Sequence, residues 1–381
     1  MNLPRPDPQA PHLADVAPSL LAAMGVEGFA PRIAGSFGGV GETAGACLLL
    51  VDGLGADLLD AHLDDAPFLA TLRGPTLTAG YPATTAAGLA AVGTGCRSGE
   101  HGVVGMTFRL PDVGVINALR WRPHPWGDDL RERVVPEYVQ PRATTFERAA
   151  STGVSVRVIS GAEFAYSGLT RAALRGGSYV GVHAIGDLVA AVSTTLADRG
   201  FCYAYHADLD LVGHLHGPGS PAWRWQLRQV DRLVESIVEA LPAGGLLAVV
   251  ADHGMVGLGA DVVDADSQPV LHDGVAAIGG EVRARHVYVE RGARDDVLAA
   301  WREVLGERAW VVGREEAVAA GWFGERVTEE ATARIGDVVV AARGTSGVVR
   351  RTVEPVESSL IGQHGSFTSA EQRIPLLIAR G

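Results

Sequence analysis

Three apolar runs that each lead directly into acidic or histidine residues constrain this chain most. ACLLLVDG (46–53) and GLLAVVADHG (245–254) read as fully buried strands, and FCYAYHADLD (201–210) repeats the form with aromatic residues mixed in. VSVRVIS (154–160) is a fourth such run. A strand apolar on every side must be covered on both faces, which is the condition of a parallel sheet flanked by helices. Between the runs lie helix-like stretches such as Trp225 to Leu241, where Leu227, Val230, Val234, Ile237 and Leu241 recur at three- and four-residue steps. Strand and helix therefore alternate, predicting an α/β sandwich in which ligands bind at the carboxyl ends of the strands. On this reading Asp52, Asp210, Asp252 and His253 stand at those ends.

The character changes from about residue 262. VRARHVYVE, a helical DDVLAAWREVLG, AWVVG and DVVVAARG predict a small α+β insertion over 262–355, and IGQHGSFT with IPLLIA then returns to the main body. The expected organisation is a core of 1–261 and 356–381 carrying a cap of 262–355. Residues 1–43 show only Pro, Gly and short apolar pieces.

Composition narrows the function. The chain of 381 residues is 47% hydrophobic, enough for a large core, and its net charge of −12 comes without any basic cluster, which excludes tracking along a nucleic-acid polymer. A small anionic substrate is compatible with this charge. Lysine is absent, so lysine chemistry is excluded. Cys47, Cys96 and Cys202 are scattered singly, arguing against a disulfide framework or a thiolate zinc site. With no long apolar run and no signal-like start, the expectation is a soluble cytoplasmic enzyme without a membrane span.

A single Asp at a strand end is more often a turn or cap residue than a ligand. Here, however, VDG, DLVGH and ADHG separately present Asp52, Asp210 with His214, and Asp252 with His253, and QHG adds His364 after the insertion. Mixed Asp and His donors suit Zn²⁺, or Mn²⁺ where oxygen dominates. Six donors are too many for one tetrahedral ion and suit a pair of divalent ions, which in two-metal hydrolases sit about 3.5–4 Å apart. GYPATTAAGLAAVGTG (80–95) supplies adjacent threonines ahead of a helix-like stretch. A hydroxyl there serves either as a helix cap or as a nucleophile where backbone N–H groups favour an anion.

The order and spacing of VDG (51–53), YPATT (81–85), TG (94–95), HG (101–102), DLVGHLHGP (210–218), DHGM (252–255) and HG (364–365) resembles the nucleotide pyrophosphatase/phosphodiesterase branch of the alkaline phosphatase superfamily. Phosphonoacetate hydrolase is a close relative of that branch. The resemblance covers roughly residues 46–368 and implies the alkaline-phosphatase-type sandwich with a cap. It implies that Asp52, Asp252, His253 and the Thr85 oxygen hold one ion, and Asp210, His214 and His364 the other. Thr85, the last residue of the aromatic-Pro-x-x-Thr segment, becomes the nucleophile, attacking phosphorus in line to give a phosphothreonine intermediate that water hydrolyses. His101, His206, Asp208 and His216 take supporting hydrogen-bonding roles, and His272 and His286 are ordinary residues of the insertion.

Two departures bear on the substrate. Ala86 stands where nucleotide-cleaving members commonly carry an aromatic residue that stacks on the base. Met106 stands where they carry an Asn that hydrogen-bonds a phosphate oxygen, a contact whose loss costs on the order of 3 kcal/mol unless Asn117 or an arginine replaces it. The substrate contacts at these positions are therefore altered. The expected activity is two-metal hydrolysis of phosphate esters, diesters first. The alternatives are C–P cleavage of a phosphonate, a phosphomonoesterase with Arg97 or Arg120 near the extra charge, and a metal-containing ligand-binding protein without turnover.

Overall fold

The computed structural model describes residues 2–381. Its main sheet is built from β1 (Gly45–Val51), β2 (Thr76–Thr78), β3 (Val156–Gly161), β4 (Ser178–Val182), β5 (Phe201–His206), β6 (Gly245–Val250) and β7 (Arg373–Arg380), in the order β2-β7-β6-β1-β5-β3-β4. Every residue of β1 and β6 is buried, as strands covered on both faces require. β1 pairs in parallel with β5 and β6, and β3 with β4 and β5. The closing apolar segment is the exception: β7 runs antiparallel to both β6 and β2, so the sheet is mostly parallel rather than wholly so.

Helices Ile185–Ala197 and Val16–Ala23 pack on the sheet. The latter, with all eight residues buried, is an element that the Pro- and Gly-interrupted N-terminal sequence did not announce. Helix α1 (Thr85–Thr94) packs beside it. The expected helix near Trp225–Leu241 is α3 (Pro221–Glu239), preceded by α2 (Asp208–His216). α3 starts earlier than its apolar spacing suggested because Ser220 caps it, accepting from Trp223 N, with Pro221 in the first turn.

Register explains how the sheet prepares a site. Leu50 pairs with Val250, so two residues further on Asp52 and Asp252 emerge side by side from the carboxyl ends of neighbouring strands. β5 stops at His206, and Asp210 lies instead in the first turn of α2. The strand-end reading of Asp210 is thereby corrected: the apolar run breaks at His206-Ala207, and Asp208 opens a helix.

The insertion holds an antiparallel sheet of Val275–Glu281, Ala284–Val289, Val338–Ala342 and Ala309–Gly313, with helix Arg294–Leu305 packed on it. A short parallel pair, Val262–Asp264 with Gly347–Val349, lies between this sheet and the main body in sequence. One face of the insertion closes a small core of its own around Val287, Trp301 and Val338. The other, through Trp322, Phe323, Val339 and Ala341, joins the core of the main sheet. The two sheets therefore share one core.

Close packing around α1 is made possible by small residues. A Cβ on Gly93 would lie 1.7 Å from the carbonyl oxygen of Ala173, a position no flexible side chain can vacate. Gly93→Ala is expected to lower the unfolding free energy by about 1–3 kcal/mol, read as a lower denaturant midpoint with unchanged slope.

Candidate metal centre

The DHG and QHG segments meet because Val256–Gly257 pairs antiparallel with Gly362–Gln363. The imidazoles of His253 and His364 then stack with ring centroids 3.5 Å apart. Asp210 and His214, one turn apart on α2, face the same place. His214 Nε2 lies 3.1 Å from Asp210 Oδ2 and 3.3 Å from His364 Nε2. His253 Nε2 lies 3.5 Å from Asp52 Oδ1 and 3.6 Å from Asp252 Oδ2. Donor atoms of Asp52, Asp252 and His253 all fall within 4.8 Å of one another, as do those of Asp210, His253 and His364. His253 thus stands between the two groups.

Thr85 is the first residue of α1, and its Oγ1 is 3.2 Å from His253 Nε2. Thr84 occupies the cap position without a side-chain cap hydrogen bond. Gly88 N donates to Thr84 O as the first turn of the helix, so the N–H groups of Thr85, Ala86 and Ala87 precede any intrahelical bond. Gly88 also lets the helix approach the sheet, since a Cβ there would be 2.6 Å from the Cβ of Asp252.

Three features fit this cluster to divalent cations. First, each imidazole is oriented from behind: Nδ1 of His214 donates to Gly362 O, that of His364 to Ala83 O and that of His253 to Gly254 O. That tautomer leaves each Nε2 lone pair directed at the centre. Second, Asp52 Oδ1, Asp210 Oδ1 and Asp252 Oδ2 are buried without any hydrogen-bond partner. Third, the basic groups within 4.0 Å of these carboxylates are the same histidines, and among the described residues no arginine pairs with them.

Burial, then the neighbouring carboxylates Asp252 and Asp210, push the Asp52 carboxyl well up. Burial raises Asp252 too, against the opposing pull of His253. Asp210 is held below the usual carboxylate range: burial works against this, but His214, His364 and His253 outweigh it. His364 is driven well below the ordinary imidazole range by burial and by His253. Leaving such a cluster unpaired in a low-dielectric interior costs several kcal/mol, and cations remove that cost.

The residues supporting the centre differ from those expected. Tyr205 OH donates to Asp52 Oδ2 at 2.5 Å, the backbone N–H groups of Gly53 and His253 donate to Asp252 Oδ1, and the three imidazoles are held by backbone carbonyls. His206 contributes its carbonyl to Asp52 N, but its ring meets Gln226. Asp208 and His216 are exposed. His101 is buried with Nδ1 accepting from Val103 N, and burial, followed by the charges of Arg334 and Arg142, pushes it down to about 3. The supporting roles given to these side chains are therefore corrected. His272 and His286 bond backbone atoms at Ala265, Val104 and Gly336, as ordinary structural residues.

The positions singled out for substrate also have definite places. Ala86 is fully buried within α1. Met106 is half-buried, and its N–H donates to Glu281 Oε2 at 2.8 Å. Asn117 Oδ1 accepts from Leu119 N and Arg120 N, closing a turn. Arg97 leans on Asp15 at 3.5 Å, beside a cavity of about 770 Å³ lined by Tyr81, His101 and Trp322 and by none of the candidate ligands. Arg120 is exposed.

A mostly parallel α/β sandwich of alkaline phosphatase type, with an aspartate–histidine cluster beside the carboxyl ends of its strands, defines the class. A sequence model described as "Type I phosphodiesterase / nucleotide pyrophosphatase" matches residues 46–367, and the chain belongs to that family. Its fold is similar to murine ectonucleotide pyrophosphatase/phosphodiesterase 5, with a TM-score of 0.69 and 16% identity over 88% of this chain and 87% of that one. Phosphonoacetate hydrolase from Sinorhizobium meliloti 1021, in complex with phosphonoformate, superposes with a TM-score of 0.66 and 20% identity over 88% and 90%. A 52-residue stretch, 14% of this chain, is 42% identical to GPI ethanolamine phosphate transferase 3 of Schizosaccharomyces pombe but spans only 6% of that protein. Among the described residues, no helix is long and apolar enough to cross a membrane.

Two expectations follow. Metal analysis of the protein equilibrated with zinc should give two ions per chain, and Asp210→Asn should lower that stoichiometry or weaken one site by about 10-fold or more. Glu281 gives a pH-dependent outcome. Burial pushes its carboxyl up to about 8, so between pH 4.5 and 8 the folded chain keeps a proton that the unfolded chain has lost, and stability falls as pH rises. Glu281→Gln, matching the neutral acid, should therefore gain stability over the parent at pH 8 and little at pH 5, measured by denaturant unfolding.

Proposed function

We propose that this protein is a two-metal hydrolase of phosphate esters, phosphodiesters foremost, with Thr85 as nucleophile. The observation that carries this reading is the Thr85 hydroxyl, at the open N-terminus of α1 and 3.2 Å from His253 Nε2, facing a buried cluster of partnerless carboxylate oxygens. Asp52, Asp252, His253 and Thr85 would hold one ion, and Asp210, His214 and His364 the other, zinc being the first choice and manganese the second. When bound, the ions supply Lewis-acid stabilisation of charge on the phosphoryl oxygens and favour ionisation of the attacking hydroxyl.

The chain's own groups do the rest. The N–H groups of Thr85, Ala86 and Ala87, with the helix dipole, favour a phosphoryl group at the α1 terminus. Thr85 Oγ forms its bond to phosphorus as the bond to the ester oxygen breaks, and the alcohol leaves. Water then attacks the phosphothreonine from the opposite side and restores the hydroxyl. The bulk of residues 262–355 supports a division into core and cap at those limits, with the cap setting the leaving group. Three free cysteines suit a reducing compartment such as the cytoplasm.

A phosphonate reading is favoured by one observation: Ala86 is buried and offers no face for a nucleobase. A compact phosphonate needs no such face, so C–P hydrolysis is the second reading.

Zinc-loaded protein and Thr85→Ala are to be compared on p-nitrophenyl phosphate, bis-p-nitrophenyl phosphate, a nucleotide p-nitrophenyl ester and phosphonoacetate. Turnover of the diesters by the parent, with a loss on the order of 10³-fold or more in the variant, is the expected result. Equal rates in the two proteins would remove Thr85 from the mechanism. Preferential turnover of phosphonoacetate would select the second reading.

A further inference from the structure

The insertion carries two arginines, Arg283 and Arg285, that are both almost wholly buried and both engage a glutamate in two hydrogen bonds. Arg283 Nε and Nη2 donate to Glu371 Oε1 and Oε2 at 2.6 and 2.7 Å. Arg285 Nη1 and Nη2 donate to Glu354 at 3.1 and 2.7 Å. The two pairs share chemistry and depth, but their surroundings differ.

Glu371 lies between the two loops that bring histidine to the centre. Its Oε1 also accepts from Ser366 N at 2.9 Å, two residues after His364. Its backbone carbonyl accepts from Gly254 N at 2.9 Å, the residue directly after His253. Ser366 is held from the other side as well, its hydroxyl donating to Ala342 O on the insertion's sheet at 2.5 Å. Arg283, for its part, is fixed by a hydrogen bond from Nη1 to Ser346 O. Glu354 has no such link: its other side-chain partner is His124.

We propose that Arg283 and Glu371 are positioning residues for the metal centre, clamping the His253 and His364 loops to the insertion and thereby setting the spacing of the two imidazoles. The inference rests on the metal-binding reading above. The physical reason is that Glu371 is a fully buried anion whose charge Arg283 balances. Without the guanidinium the carboxylate keeps only neutral donors, from Thr368 and Ser366, and its unbalanced charge shifts it toward solvent, drawing Ser366 and Gly254 with it. The stacked rings, with centroids 3.5 Å apart, respond to any shift of either loop. Arg285 and Glu354 form a comparably buried ion pair without touching a ligand loop, so they separate positioning from stability.

The test compares the full-length parent with Arg283→Met, Arg283→Lys and Arg285→Met. Zinc affinity and stoichiometry are read by competition with a chromophoric chelator, and the visible spectrum of the cobalt-loaded proteins is recorded beside thermal unfolding. Arg283→Met is expected to weaken zinc binding by about 10- to 100-fold and to change the cobalt spectrum. Arg283→Lys should recover part of the loss. Arg285→Met should stay within about twofold of the parent in affinity while also losing thermal stability. If Arg283→Met fails to fold, Glu371→Gln, which preserves volume and an acceptor for Ser366 N, is measured in its place with the same expectation. Parent-like affinity in the Arg283 or Glu371 variant, or equal weakening in Arg285→Met, overturns the positioning role while leaving the metal centre standing. A parent that binds no divalent metal overturns both.

Discussion

Three carboxylates, from Asp52, Asp210 and Asp252, converge in the interior with no arginine among their ion-pair partners, and much of the molecule is arranged around that repulsion. An isolated buried carboxylate ordinarily escapes by taking up a proton, as the upward displacement of Asp52 and Asp252 illustrates. The surroundings limit that escape. Tyr205 donates to Asp52, and backbone carbonyls tie the far nitrogen of each histidine, so the near nitrogens point inward as acceptors. A set of acceptors facing one another is destabilising alone and becomes favourable around cations. The histidine supports belong to the fold itself, which is why the tautomers are set before any ion arrives.

The fold made itself legible where physics leaves a mark on side-chain type. β1 and β6 are wholly apolar because both faces are covered, and the acidic residues ending them stand out for that reason. The alternation of such runs with amphipathic stretches was enough for the α/β class. Asp210 shows the limit: a strand and a following helix can join through a single residue, here Ala207, and the acidic pattern reads the same in both. β7 is equally instructive. IPLLIA is as apolar as a parallel strand, and its direction depends on how the chain returns from the insertion, which composition does not record.

Supporting contacts were harder to anticipate. Gly362 O, Ala83 O and Gly254 O belong to residues whose identity is irrelevant to the hydrogen bond they accept, so no sequence pattern distinguishes them. Histidines near the motifs attracted supporting roles by proximity in sequence, whereas His101 and His206 turn their rings to local backbone or to Gln226. Tyr205 had a usable signal, since it is the polar-tipped residue next to the end of β5 and β5 pairs with β1, which leads into Asp52. A tyrosine there needs a partner for its hydroxyl when buried, and the adjacent strand end offers one.

The donors also come from widely separated parts of the chain. Thr85 meets His253 across 168 positions, and His364 is oriented by Ala83 across 281. Between His253 and His364 the chain builds the whole insertion, one face of which merges with the main core. An insertion that served only as a lid would need few such ties. Here the end of the interior strand at Ala342 and the buried Arg283 both reach Ser366 or Glu371, so the segment returning with His364 is received by the insertion as much as by the main sheet. A truncated chain lacking residues after the insertion would retain Asp52, Asp210 and Asp252 but lose the carboxylate that balances Arg283 and the histidine that stacks on His253. The segment that completes the centre therefore also closes the fold, and the insertion belongs to the architecture of the site.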